Sequence, residues 1–236
     1  MKETILGINV ISDSYTTLLT AIRQDIQAKR KALIIAINPE KIMKAQHSQA
    51  VRDLLNQATY PIPDGVGMII ASRLKRGQVK QRVTGIDLFL KICGLAQQEG
   101  HKVFLYGSQP GVAKETKARL ERMYPGIHIV GTENGYEKDD AKIVEAINGS
   151  GADILFVAKG SPLQEMWIRN HMQELNVSIF QGVGGSFDVI CGRIKRAPAG
   201  FRRLGLEWLY RLLNEPSRFR RQLALPHFLI RIFLWK

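Results

Sequence analysis

The stretch KALIIAINPE, residues 31–40, decides the fold class. Six consecutive apolar residues, Ala32 to Ile37, are too few for a helix of normal length. They are too continuous for a strand with one wet face, so Lys31 to Asn38 reads as a strand buried on both sides. Asn38-Pro39-Glu40 then supplies an N-cap, a proline at the first helical position and an acid in the first turn. A buried strand feeding directly into a capped helix is the repeating joint of an α/β protein.

The same joint recurs along the chain. HKVFLYG (101–107) reads as a strand and SQPGVAKETKARLERMYPG as the helix after it, ended by Tyr124-Pro125-Gly126. IHIVGT, DILFVAKG and VSIFQGVGG read as three more strands, with DDAKIVEAING and SPLQEMWIRNHMQEL as the helices between them. Upstream, DGVGMIIASRLKRG carries Val66, Ile69, Ile70, Arg73 and Leu74 at helical spacing and closes on Gly77. A helix from about Thr84 to Gly100 turns Ile86, Leu88, Phe89, Ile92 and Leu95 inward. The alternation predicts an α/β, Rossmann-like, mainly parallel sheet with helices on both faces. In such sheets ligands bind beyond the carboxyl ends of the strands.

Length and composition agree. The chain has 236 residues, enough for one full core, and its 45% hydrophobic and 23% charged content is that of a folded protein. Two cysteines, Cys93 and Cys191, have no metal-ligand spacing and suit a reducing cytoplasm. The five histidines are scattered, so a metal site is not expected. The first residues, MKETILGINVISDSY, lack the apolar run of a secretory signal, and no stretch reaches the ~20 apolar residues that span a bilayer. LALPHFLIRIFLWK, the nearest candidate, is interrupted by Pro226, His227 and Arg231.

Charge is distributed unevenly. Of a net +13, the segment from Arg193 onward contributes nine, with eleven lysines and arginines against Glu207 and Glu215. This predicts a core over residues 1–192 and a basic helical C-terminal appendage over 193–236, with a polyanionic partner: nucleic acid, a phosphate-bearing substrate or an anionic membrane. If 206–213 is helical, Leu206, Leu209, Tyr210 and Leu213 share a side edged by Arg203 and Arg211, and Pro216 opens a second short helix. Trp208, Phe228, Phe233 and Trp235 could anchor such a tail in an interface. The bland reading is a basic amphipathic helix whose charges are solvated.

The segments after the strands carry the candidate chemistry. Asp64, in Pro63-Asp64-Gly65, reads as an N-cap or as a general base for a hydroxyl nucleophile. GSQPG at 107–111 is either a bare turn or a set of backbone N–H groups for a diphosphate. GVGGSFD at 182–188 lets a ligand approach the backbone at Gly184 and Gly185, and Asp188 could accept hydrogen bonds from a base or ribose. Arg82 is a surface charge or a phosphate clamp; Gln164 and Glu165 open a helix. GxGxxG, GxxxxGK[ST] and GxSxG are absent.

Taken in order, N-P-E at Asn38, P-D-G at Asp64, R-V-T-G-x-D at Arg82–Asp87, F-L-Y-G at Phe104, Y-P-G at Tyr124, N-G-Y ending at Tyr136, G-S-P-x-Q-E at Gly160–Glu165, GVGGSFDVICGRIKRAP and LGLEWLYRLLNEPSRFRR resemble the TagA/WecG/CpsF glycosyltransferases of bacteria. That resemblance implies an inverting, metal-independent transfer of N-acetylmannosamine from a UDP-sugar donor to the 4-hydroxyl of GlcNAc on undecaprenyl diphosphate, at the inner face of the cell membrane and without a cofactor. It implies Asp64 as general base, Asn38 and Gln164 at the acceptor and sugar pocket, and Arg82 on the phosphate side. It places Tyr136, Asp188, Gly184 and Gly185 with the uridine, and Arg211, Arg218 and Arg221 over the departing diphosphate. The sequence departs from the family's pattern at Ala36, usually threonine; at Lys159, usually leucine; and at Leu163, usually lysine. Other UDP-sugar donors (glucose, galactose, a ManNAc uronate) stay open. Homo-oligomers, dimer or trimer, are expected off the membrane. A basic RNA-binding protein is the rival of another class, with no RNA-binding signature in the body to support it, so no nucleic acid partner is expected.

Overall fold

A computed structural model describes residues 2–214 and 223–235. In chain order its elements are β1 (Lys2–Ile5), β2 (Ile8–Ile11), α1 (Tyr15–Gln27), β3 (Ala32–Ile37), α2 (Pro39–Gln46), α3 (Gln49–Asn56), β4 (Tyr60–Pro63), α4 (Val66–Leu74) and α5 (Gly85–Glu99). There follow β5 (Lys102–Gly107), α6 (Val112–Met123), β6 (His128–Glu133), α7 (Asp140–Ser150), β7 (Ile154–Ala158), α8 (Leu163–His171), β8 (Ile179–Gly182), α9 (Ser186–Ile190), α10 (Ala199–Arg203), α11 (Glu207–Asn214) and α12 (Ala224–Leu234).

β3 to β8 form a six-stranded parallel sheet in the order β4-β3-β8-β7-β5-β6, flanked by helices, as the alternation predicted. β1 and β2 make a separate antiparallel hairpin. The all-apolar β3 is buried at every residue. β4 was not anticipated: two of its four residues are proline, which cannot donate to a ladder, and it takes the edge position where that deficit is tolerated.

Contacts divide the chain into two compact units, Met1–Ser14, Ala36–Thr84 and Arg196–Lys236 in one and Tyr15–Ile35 and Gly85–Lys195 in the other. The second unit is built around β8, β7 and β5, with α5 presenting Ile86, Leu88, Phe89, Ile92 and Leu95 as expected. Phe89 is the hub: its ring lies 4.1 Å from that of Phe156 and 5.9 Å from that of Phe187. Cys93 is buried beside them, which pushes its thiol pKa up and leaves it inert. Both cysteines are free.

The first unit packs α2, α4 and α12 together. Phe228 and Ile232 of α12 are fully buried, so part of the basic tail is core. α4 faces inward differently from its sequence pattern: Gly67, Met68, Ala71 and Ser72 are buried, while Ile70 and Leu74 are exposed. The reason is close approach. A Cβ on Gly67 would lie 2.7 Å from both Leu225 Cδ1 and Pro39 Cγ, so the small-residue stripe, not the large one, is the contact face. Glu3 of β1 ties down the loop after α4, accepting from Ser72 Oγ (2.9 Å), Gln78 N (2.8 Å) and Val79 N (3.1 Å).

Candidate active site

In the first unit, two post-strand segments and the segment between α4 and α5 lie side by side. Asn38 follows β3 and caps α2, its Oδ1 accepting from Lys41 N at 2.9 Å. Asp64 follows β4, and its backbone N–H donates to the Ile37 carbonyl at 2.8 Å. Val83 N donates to the Pro63 carbonyl at 2.9 Å, which brings the Arg82 segment to the other side of Asp64. The N-cap of α4 is Gly65, at φ 96°, a conformation few residues other than glycine adopt. Asp64 therefore stands one residue before the cap position, half-buried at the carboxyl end of its strand.

Arg82 is engaged by the C-terminal segment. Its Nη1 lies 3.1 Å from Glu207 Oε2 on α11, and its Nη2 donates to the Arg202 carbonyl at 2.9 Å. Glu207, which the sequence reading passed over, is thus the partner that orients Arg82. Arg211 lies one helical turn beyond Glu207 on α11. The conformation of its side chain, and Arg218 and Arg221 altogether, fall outside the described residues.

In the second unit, the exits of β5, β7 and β8 are laced together. Ser108 N donates to the Ala158 carbonyl at 2.7 Å, and Gly135 N to the Ser108 carbonyl at 2.9 Å. Gly107 is required there: its φ is 122°, and a Cβ would sit 2.5 Å from the Ala158 oxygen. Ser108 Oγ donates to Asp188 Oδ2 at 3.2 Å, a partner that no motif had flagged. Tyr136 is exposed just after Asn134-Gly135, its N–H bonded to Asn134 Oδ1 at 2.9 Å.

Gln164 is buried in the first turn of α8 and holds the glycine loop. Its Oε1 accepts from Gly184 N at 2.9 Å, while its Nε2 donates to Glu165 Oε1 at 2.9 Å. These two bonds fix which end of the amide faces the loop. Gly182 makes the approach feasible, since a Cβ there would be 2.5 Å from Gln164 Nε2. Beyond it the backbone opens: a Cβ on Gly184 or Gly185 would meet nothing within 4 Å. Glu165 itself is fully buried, a feature the sequence signals only through the G-S-P-x-Q-E spacing.

The departures from the family pattern have structural outcomes. Ala36 is buried in β3. Lys159 donates from Nζ to Tyr106 Oη at 2.7 Å and also stands over its ring. Burial, followed by Asp140, Glu137 and Glu133, pushes the Tyr106 phenol pKa up, so it stays protonated. Leu163 is exposed at the start of α8. Arg193, counted with the basic tail, makes a two-pronged pair with Glu115 at 2.7 and 3.0 Å, and this guanidinium holds the Glu115 carboxyl below the usual range.

Among the described residues no helix is long and apolar enough to cross a membrane. α12 does expose Ile230, Phe233 and Leu234 on the side away from Phe228 and Ile232.

Comparison with known proteins places these features in a lineage. An N-acetylglucosaminyldiphosphoundecaprenol N-acetyl-beta-D-mannosaminyltransferase of Bacillus spizizenii is 38% identical over 203 residues, which is 86% of this chain and 79% of the relative. A protein of the same description from Bacillus subtilis strain 168 is 34% identical over 231 residues, 98% of this chain and 90% of the relative. The model of the glycosyl transferase WecG/TagA/CpsF family matches residues 3–236. With the parallel sheet and the ordered motifs at its strand ends, the chain belongs to the WecG/TagA/CpsF family of glycosyl transferases.

Proposed function

We propose that this protein transfers N-acetylmannosamine from UDP-ManNAc to the 4-hydroxyl of GlcNAc carried on undecaprenyl diphosphate, forming a β-1,4 linkage with inversion and without a metal. The observation that carries the reading is the placement of Asp64. It stands at the carboxyl end of β4 beside the Asn38 and Arg82 segments, while the helix cap after it is taken by Gly65. The descriptions of both relatives name an acceptor, N-acetylglucosaminyldiphosphoundecaprenol, and a transferred sugar, N-acetylmannosamine, which support this reading.

In this scheme Asp64 accepts the proton of the acceptor hydroxyl as that oxygen bonds to the donor anomeric carbon. The bond from that carbon to the diphosphate breaks, and UDP leaves with the electron pair. A carboxylate is base enough because the hydroxyl loses its proton late, once the sugar carbon is cationic. Asn38 and Gln164 hold the sugars. Tyr136, Asp188, Gly184 and Gly185 hold the uridine. Arg82, Arg211, Arg218 and Arg221 neutralise the departing diphosphate by fixed charge, the role a metal plays elsewhere. Arg82 serves there once Glu207 shares or releases it.

Residues 1–192 are the catalytic core, and 193–236 form the lid and membrane contact. Each lysine or arginine near an anionic leaflet contributes ~1 kcal/mol, and the exposed Ile230, Phe233 and Leu234 add apolar insertion. The enzyme works on the cytoplasmic face as a peripheral protein. Off the membrane the same apolar face drives dimers or trimers.

The test is a panel of UDP-sugars with prenyl-diphosphate GlcNAc as acceptor and EDTA present, read as UDP release. UDP-ManNAc alone should turn over. Preferential turnover of UDP-glucose, UDP-galactose or the ManNAc uronate would reassign the donor, and no turnover of any would remove the reading.

A further inference from the structure

α2 and the first turn of α12 enclose a groove of about 490 Å3, lined by Glu40, Met43, Lys44 and His47 on one side and Leu223, Ala224 and His227 on the other. We infer that this groove takes the first isoprene units of the lipid-linked acceptor. The inference rests on the acceptor proposed above and adds a binding site for its hydrocarbon chain.

Helix geometry gives the first argument. Residues 40, 43, 44 and 47 form one stripe along α2, and the stripe begins two residues after Asn38, the helix cap assigned to the acceptor sugar. At 1.5 Å per residue, Asn38 to His47 spans roughly 13 Å, so the groove leads directly away from the sugar end.

The walls give the second. Met43, Leu223 and Ala224 are the apolar part of the lining, and of its four polar residues Glu40 and Lys44 neutralise one another at 2.8 Å, leaving the two imidazoles of His47 and His227. A branched hydrocarbon with nothing to hydrogen-bond suits such a lining, and the volume lies in the range of sites that enclose a small organic group. The chain's first units fit; the remainder must lie elsewhere.

The third argument is continuity with the membrane face. α12 is clamped on the body through Phe228, Ile232 and the close approach of Leu225 to Gly67, which makes it a fixed wall. Its opposite side presents Ile230, Phe233 and Leu234, at 59%, 80% and 72% exposure. One helix thus borders the groove and carries the surface that enters lipid, so a prenyl chain can pass from groove to bilayer along it.

The experiment compares methyl-diphosphate GlcNAc, which has no isoprene units, as the short acceptor with a prenyl-diphosphate GlcNAc as the long one, in one detergent, with the full protein and two variants. Ala224→Phe fills the groove and should lower the ratio of kcat/KM for the long over the short acceptor by about tenfold or more, since each buried methylene contributes ~0.8 kcal/mol. His227→Leu, an exposed position where folding is undisturbed, extends the apolar wall and should raise that ratio. A wild-type enzyme indifferent to chain length, or a preference unchanged in both variants, overturns the groove while leaving the transfer reaction standing. Failure of the wild type on both acceptors overturns the reaction and the groove with it.

Discussion

Replacing Gln164 by glutamate sets two carboxyl groups where one amide now joins a carboxylate at 2.9 Å. Gln164 and Glu165 are 2% and 0% exposed, so solvent cannot screen the pair. Like charges this close cannot both ionise, and one proton must be retained between them. The folded pKa of the pair is then raised above the unfolded value of ~4.3. A raised carboxyl pKa gives stability that is fully present below the unfolded pKa and is lost as pH rises through the folded one. Gln164→Glu should therefore unfold at nearly the wild-type urea midpoint near pH ~4 and fall progressively behind it toward pH ~8.

Gln164→Met provides the pH-independent reference. It strands the Gly184 N–H and takes one hydrogen bond from the buried Glu165, each at about 1–3 kcal/mol, for a loss of about 2–6 kcal/mol against a usual total of ~5–15. Both variants should also raise KM for the nucleotide donor, because Gly184 is positioned through this side chain. A Gln164→Glu protein as stable as wild type at high pH, with parallel pH curves, would refute the described contact.

Three further outcomes follow from the geometry. Glu207→Ala breaks a largely shielded ion pair with Arg82 and should cost about 1–3 kcal/mol in urea unfolding, between the exposed and the buried cases; an unchanged midpoint would show that Arg82 is not held there. Gly107→Ala forces a side chain into φ 122° against the Ala158 carbonyl and should destabilise by about 2–4 kcal/mol or prevent folding, whereas Gly185→Ala, facing open space, should fold normally and weaken UDP binding measured by calorimetry. Phe233→Glu alters an 80%-exposed residue, so melting should be unaffected while flotation with anionic liposomes drops; equal flotation would relocate the membrane contact.

Much of the fold was legible because its strands are continuous apolar runs with capped helices behind them. β3, β5, β6, β7 and β8 all lie where the pattern put them. β4 escaped because Tyr-Pro-Ile-Pro has the composition of a loop, and only an edge position makes it a strand. The buried stripe of α4 was obscured because glycine, alanine and serine carry no hydrophobic signal, although close packing against Leu225 and Pro39 selects them. The candidate site was legible as motifs, not as contacts. Nothing in the spacing joins Ser108 to Asp188 across 80 residues, or Arg82 to Glu207 across 125, since such pairs exist only once strand order is fixed. The tail read as a solvated or membrane-bound appendage, yet Phe228 and Ile232 are fully buried, which makes point substitutions a cleaner probe than truncation.

The account depends most on Asp64, and its sharpest test is Asp64→Asn, with turnover on prenyl-diphosphate GlcNAc and the Kd for UDP measured on the same preparation. Loss of a general base should lower kcat by roughly a hundredfold to ten-thousandfold with UDP affinity essentially unchanged. Comparable losses in turnover and in UDP affinity would mean that Asp64 holds the local structure together, and the proposed chemistry would have no base.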